Sequence, residues 1–215
     1  MKGYRSRPAY ERKQSYADLV TEHDLASEAL IRRRLTELTP DIAIVGEEQG
    51  GSPSPAPTWY VDPIDGTVNF AHGHPFFAIS LGLLDHGHPV AGVVVAPALG
   101  VEWHGFVGDA QAGGGCFRNG ERCQVSPTTE LSDGLIASGF SPTMRRHGHP
   151  EDNIAAFERV MPQVRDLRRA GSAALDLVLV ADGTYDAYWE RKLGPWDFMA
   201  GVALVLAAGG RVTSL

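Results

Sequence analysis

The sequence predicts a layered α+β/α/β sandwich, with alternating helix and sheet layers, in one domain of 215 residues. Three observations carry this expectation. Short apolar runs separated by turn residues fill much of residues 1–140, as an antiparallel sheet requires. A helix–strand–helix alternation follows over residues 141–215. The last helical run, Pro195–Ala208, is apolar nearly all round and should be buried between layers.

Each element has its own signal. Thr21-Glu22-His23-Asp24 resembles a capping box, with Thr21 as N-cap and Asp24 three residues on. Leu25, Ala29, Leu30, Leu35 and Leu38 recur at helical spacing, which predicts an amphipathic helix over 22–38 ended by Thr39-Pro40-Asp41. Ile42–Val45 is a short buried strand. Gly50–Pro57 is a loop, and Trp59–Val61 is a strand stopping at Asp62-Pro63. Phe76–Leu84 and Val90–Ala96 are strands joined by the turn Asp85–Pro89. Val101–Phe106, Gly115–Arg118 and Glu121–Val125 extend the meander, and Leu135–Ser138 adds a strand. Asn153–Val164 is a helix that Pro162 breaks. Ser172–Ala181 is a helix and Thr184–Trp189 a strand. Pro195–Ala208 begins with a proline and ends at Gly209-Gly210, as helix termini prefer. Arg211–Leu215 looks like the start of a strand.

Composition narrows the class. Hydrophobic residues make up 43% of the chain and charged residues 21%, which suits a protein with a real core rather than a disordered one. A formal net charge of −7 argues against bulk electrostatic binding to nucleic acid. No apolar run reaches the ~18–20 residues of a membrane span, and the polar start MKGYRSRPAYERKQ has no apolar signal core. The expectation is a cytoplasmic protein without nucleic-acid or membrane partners. Cys116 and Cys123 flank Asn119-Gly120, a strong hairpin turn. Counting outward sets the two cysteines opposite each other, as reduced thiols or a pair, and no metal site is assigned to them.

The most informative segment is Asp62-Pro63-Ile64-Asp65-Gly66-Thr67. Two carboxylates three apart follow a buried strand, and hard divalent cations want several oxygen ligands. The amides of Gly66 and Thr67 can face a phosphate. Gly46-Glu47-Glu48 lies upstream after another short strand. Trp196-Asp197 lies downstream in the first turn of a buried helix, where an acid is favourable in any case.

Together these motifs are similar to those of the inositol monophosphatase family. The matching residues are Asp18–Asp24, Gly46-Glu47-Glu48, Asp62–Thr67, Gly171-Ser172-Ala173-Ala174 and Trp196-Asp197 followed by Ala200-Gly201. The resemblance runs from about residue 13 to residue 214. It implies a layered phosphatase fold, and Mg²⁺-dependent, Li⁺-sensitive hydrolysis of a small phosphate monoester. Glu47, Asp62 and the carbonyl of Ile64 would hold a first Mg²⁺, Asp62, Asp65 and Asp197 a second. Glu47 would reach a third through water, giving two to three ions. Thr67, with Asp24 and Glu47, would orient and deprotonate the attacking water, and the amides of Gly66 and Thr67 would hold phosphate oxygens. Lys13 matches a lysine that reaches toward the metals. Asp24 can equally be only a capping acid, and Lys13 only a solvated charge. His72, His74, His86 and His88 are not expected to be ligands.

The resemblance further implies a phosphorylated polyol, most simply inositol monophosphate, with Asp65, Ser172, Ala173 and Glu190 on the substrate side. Glu190 can also be an exposed acid after a strand. Histidinol phosphate and sugar phosphates stay open. A sugar bisphosphate would need basic residues, for which Arg145-Arg146 and Arg168-Arg169 are candidates, though the second pair reads first as a surface or subunit contact. The family usually adds a helix before this segment and a strand and helix after it. Both are expected to be missing here, which leaves open a trimmed enzyme or a truncated, non-catalytic interaction protein. A homodimer is the expected assembly.

Overall fold

The computed structural model describes residues 4–6, 8–13, 18–55, 57–108, 113–140 and 153–214. In chain order the elements are β1 (Tyr10–Arg12), β2 (Leu19–Thr21), α1 (Glu22–Leu38), β3 (Ala43–Gly46), β4 (Thr58–Asp65), α2 (Thr67–Ala71), β5 (Ala78–Asp85), β6 (His88–Ala96), β7 (Val101–Phe106), β8 (Gly115–Arg118), β9 (Glu121–Cys123), β10 (Leu135–Ser138), α3 (Ile154–Val160), β11 (Asp166–Arg168), α4 (Ala173–Ala181), β12 (Ala187–Trp189) and α5 (Pro195–Ala207). Single 3₁₀ turns sit at Leu131–Asp133 and Met161–Gln163.

Strands β3 to β9 form one seven-stranded sheet in sequence order. Only β3 and β4 pair in parallel there, and the rest is an antiparallel meander. A second sheet, ordered β11-β10-β12, is parallel throughout. A β1–β2 hairpin lies before α1. Helices flank these sheets in a layered α/β sandwich, as expected. The β8–β9 hairpin sets Cys116 opposite Cys123, both thiols are free, and burial pushes the Cys116 thiol up.

The main core joins the large sheet to α4 and α5 through Val94, Trp103, Leu175, Val178 and Leu204, all buried. Helix α5 can lie this close because of glycine. A Cβ on Gly82 would stand 2.5 Å from the Ala200 amide nitrogen, and one on Gly92 would collide with the Ala200 carbonyl. Any other residue would lift the helix off the sheet. This seat fixes the height of the first turn of α5, which carries Asp197.

Four expectations need correction. Strand β4 does not stop at Asp62 but runs on to Asp65, because pairing with β5 resumes at Asp65–Ala78 after an irregularity. The helix expected over Asn153–Val164 ends at Val160 and finishes as a 3₁₀ turn containing Pro162, which cannot continue an α-helical ladder. Residues 211–214 form no strand, since no described strand lies alongside to accept their hydrogen bonds. In α1 the leucine stripe is not the buried face. Leu25, Leu30 and Leu38 are exposed, whereas Asp24, Glu28 and Leu35 are buried.

Candidate active site

The acidic cluster is built by a bulge. Side chains three apart on a regular strand face opposite sides of the sheet. In β4 the register slips between Asp62 and Asp65, where Pro63 has no N–H to give the ladder. The slip turns both carboxylates the same way, and the Ile64 amide donates back to Asp62 Oδ1 at 3.0 Å. Asp197 arrives from α5, where its Oδ2 accepts the Gly194 amide at 2.6 Å and so closes the helix N-terminus. One oxygen from each of Asp62, Asp65 and Asp197 lies within 4.8 Å of the others.

Burial of like charges shapes their ionisation. Burial, then the charges of Glu47, Asp65 and Asp197, pushes the Asp62 carboxyl well above its ordinary value. Burial, then Asp65 and Glu47, does the same to Asp197. Asp65 is raised to about 6 by burial, held down by hydrogen bonds from Ser172 and Ala174. Carboxylates packed this way repel one another, and a cation between them removes the conflict. The donor set is all oxygen, with neither nitrogen nor sulfur, which suits a hard cation such as Mg²⁺ or Mn²⁺ over Zn²⁺.

Glu47 and Glu48 follow β3 on a tight turn beside this cluster. Lys13, from the β1–β2 hairpin, donates to Glu47 Oε1 at 2.9 Å and Glu48 Oε1 at 2.5 Å. Burial alone would lower the Lys13 ammonium, but the two glutamates overturn that and raise it above its usual value. Lys13 is therefore no solvated surface charge. Burial brings Glu48 up to about 7 and raises Glu47 as well, with Lys13 opposing.

Asp24 makes the capping contacts and also touches Thr67. Its Oδ2 accepts the Thr21 amide at 2.8 Å and the Thr21 hydroxyl at 2.5 Å, completing the capping box of α1. Its Oδ1 lies 3.1 Å from the Thr67 hydroxyl, which stands 3.0 Å from the Ile64 carbonyl as well. Thr67 has one proton for two acceptors, so Asp24 can orient it and receive it. Gly66 precedes it at φ +89°, the left-handed conformation that lets β4 turn into α2.

A cleft of about 200 Å³ opens over these groups. Its walls include Glu47, Asp62, Ile64, Asp65, Gly66, Thr67, Ala173 and Asp197, together with Phe140, Arg169, Glu190 and Leu193. Ser172 is set one layer back. It is buried as the N-cap of α4, and its hydroxyl donates to Asp65 Oδ2. Glu190 lies against Gly139, where a Cβ would overlap its carboxylate, and it accepts the Tyr188 hydroxyl at 2.6 Å. Asn153 ties the ends of β10 and β12 together, donating to the Gly139 carbonyl at 2.7 Å and accepting Trp189 Nε1 at 2.8 Å.

One residue here escapes the sequence reading, and another reads only as half of a pair. Arg168-Arg169 reads first as a surface or subunit contact and second as a candidate basic pair for a further phosphate. Arg168 does face solvent, bound to Asp166 at 2.6 Å, but Arg169 lines the cleft. Asp176 on α4 is buried with an oxygen that has no hydrogen-bond partner, and burial with Asp65 and Glu190 nearby raises it to about 8. Its signal, an acid inside an apolar helix, was visible in Ala173–Ala181. His72, His74, His86 and His88 are exposed and do not line the cleft, and Arg145-Arg146 lies outside the described residues.

The sequence matches the model of the inositol monophosphatase family over residues 1–215. The chain belongs to that family. Membership places it among phosphoric monoester hydrolases. It is 40% identical over 196 residues to the inositol-1-monophosphatase of Rhizobium meliloti, covering 90% of this chain and 71% of that relative. It is 41% identical over 207 residues to a chloroplastic phosphatase of Arabidopsis thaliana, covering 93% of this chain but only 54% of the plant protein. The solved inositol monophosphatase of Anabaena superposes with a TM-score of 0.81 at 40% identity, covering 87% of this chain and 73% of that one. No helix among the described residues is long and apolar enough to cross a membrane.

Proposed function

We propose that this chain hydrolyses a small phosphorylated polyol, inositol monophosphate first among candidates, with two to three Mg²⁺ ions held by Glu47, Asp62, Asp65, Asp197 and the Ile64 carbonyl. The observation that carries the reading is the convergence of Asp62, Asp65 and Asp197 on one point at the floor of a cleft. Bound there, Mg²⁺ would supply a nucleophilic water at neutral pH and neutralise charge on the phosphoryl group. Thr67 and Asp24 would position that water and take its proton, with Glu47 beside them. The Gly66 and Thr67 amides would hold phosphate oxygens. Glu190, fixed by Tyr188, would receive hydroxyls of the polyol, with Ala173 shaping the wall and Ser172 keeping Asp65 in place. Li⁺ inhibition, a homodimer and a cytoplasmic location extend the same reading and rest on the family resemblance.

Arg169 in the cleft wall favours a second reading, a substrate with a further anionic group such as a sugar bisphosphate. The deciding assay is phosphate release from inositol 1-phosphate, histidinol phosphate and fructose 1,6-bisphosphate, with Mg²⁺ or EDTA. Mg²⁺-dependent release from the inositol ester above the others supports the first reading. A preference for the bisphosphate that Arg169→Ala abolishes supports the second, and silence from folded protein sinks both.

A further inference from the structure

The acidic turn Gly46–Gly50 has nothing apolar to hold it, yet it carries two half-buried or buried carboxylates side by side. Such a turn would swing toward water unless its backbone were tied. The tie comes from α1. Glu28 is wholly buried, and its Oε2 accepts the Glu48 amide at 2.7 Å while its Oε1 accepts the Gln49 amide at 3.1 Å. Arg32, one turn later, donates Nε to Glu28 Oε1 at 2.7 Å. Its remaining nitrogens reach the Ile44 carbonyl at 3.4 Å and the Gly50 carbonyl. The two side chains thus grip the strand before the turn, the turn itself and the residue that closes it through Gly46 N to Gly50 O at 2.9 Å. Gly46 leaves the room, since a Cβ there would lie inside the Glu28 carboxylate.

We propose that Glu28 and Arg32 are positioning residues for Glu47, setting the turn geometry that lets its carboxylate reach the cation. The inference rests on the reading of Glu47 as a metal ligand. Glu28 itself does not line the cleft, and both its oxygens are occupied by amides and Arg32. It acts through the backbone of Glu48 and Gln49. An outer-shell partner of this kind tunes metal affinity by holding a ligand in place.

The experiment compares wild type, Glu28→Gln, Arg32→Lys and Glu47→Gln as full chains. Mn²⁺ binding is read by electron paramagnetic resonance, with thermal melting in EDTA beside it. A glutamine amide must point N–H₂ either at the Glu48 amide or at both the Gln49 amide and Arg32, so at least one bond of the grip is lost. The expected result is about 10-fold weaker Mn²⁺ binding in Glu28→Gln and a smaller loss in Arg32→Lys, which keeps charge but not the fork. Turnover at saturating Mg²⁺ should stay within about 3-fold of wild type, because no group touching substrate is changed. Lowered melting temperature with Mn²⁺ affinity unchanged in both variants would overturn the proposal and leave a purely structural role. If Glu28→Gln does not fold, Arg32→Lys carries the same comparison. Unchanged affinity in Glu47→Gln would instead overturn the ligand reading beneath it.

Discussion

Helices α1 and α5 both feed the candidate site, and they do it in opposite ways. Helix α5 buries Met199, Ala200, Ala203, Leu204 and Val205 in the core and offers one acid, Asp197, from its first turn. Helix α1 buries Asp24 and Glu28, one turn apart on the same face, and leaves Leu25, Leu30 and Leu38 exposed. An apolar helix is held by area removed from water, and its one acid is a passenger. The inward face of α1 is instead tied down by hydrogen bonds that Asp24 and Glu28 accept from Thr67, Glu48 and Gln49, and by Arg32 of the same helix reaching the Ile44 and Gly50 carbonyls. Hydrophobic periodicity therefore reads one helix and misreads the other.

The sharpest break in that contrast is chemical. Asp65→Asn should lower turnover by about 100–1,000-fold, the size expected when a group organising transition-state charge is lost. It should raise the melting temperature in EDTA, because it removes one of several repelling carboxylates. Steady-state kinetics with melts in EDTA would check both halves. Near wild-type turnover at saturating Mg²⁺ would sink the role given to Asp65.

Next come the two helices themselves. Leu204→Ala in α5 should cost about 2–5 kcal/mol, a cavity in a core with no room to collapse. Leu30→Ala in α1 should change stability by no more than about 0.5 kcal/mol. Denaturant melts of the pair measure the comparison, and equal losses would show that the exposed stripe of α1 is covered in solution. Gly92→Ala should cost about 1–3 kcal/mol by pushing the Ala200 carbonyl, and should weaken Mg²⁺ binding as Asp197 is lifted. A stability loss without a change in Mg²⁺ affinity would separate the seat of α5 from the site.

Two pH effects sharpen the electrostatic side. Protons compete with cations for the same carboxylates. With Asp65 raised to about 6, Mg²⁺ affinity should fall as pH drops through that value, which calorimetric titration between pH 5 and 8 would follow. Asp176 is raised from 3.8 to about 8. Its folded-state pKa exceeds the unfolded one, so its contribution to stability is full below pH 3.8 and is lost as pH rises through about 8. Between those limits the slope is at most about 1.4 kcal/mol per pH unit. Asp176→Asn should remove that slope, so the variant in EDTA should gain on wild type at pH 8.5 and much less at pH 5. Parallel melting curves at both values would refute the assignment.

Much of the site and of the fold was legible because the parts are local. The capping box at Thr21–Asp24, the Asp62–Thr67 motif, the acid in the first turn of α5 and the Cys116–Cys123 register depend on residues a few positions apart. Backbone chemistry at that range leaves few alternatives. The Asn119-Gly120 turn alone fixes which cysteines face each other. Longer elements were legible where the apolar pattern is strong, on one face in β5 to β7 and nearly all round in α4 and α5.

Tertiary structure decided everything that depends on distance through space. The sequence could place Asp62, Asp65 and Asp197 on two segments, but only the β4 bulge and the glycine seat of α5 bring their oxygens together. It could not say that Arg169 turns into the cleft while Arg168 turns out, or that the buried face of α1 is acidic. The short strands β1, β2 and β11 also went unread, since three residues carry too little periodicity. The physical reason is common to all of these. A carboxylate or a guanidinium has no fixed side of the water boundary, and its partners, which lie far off in sequence, determine whether it is buried.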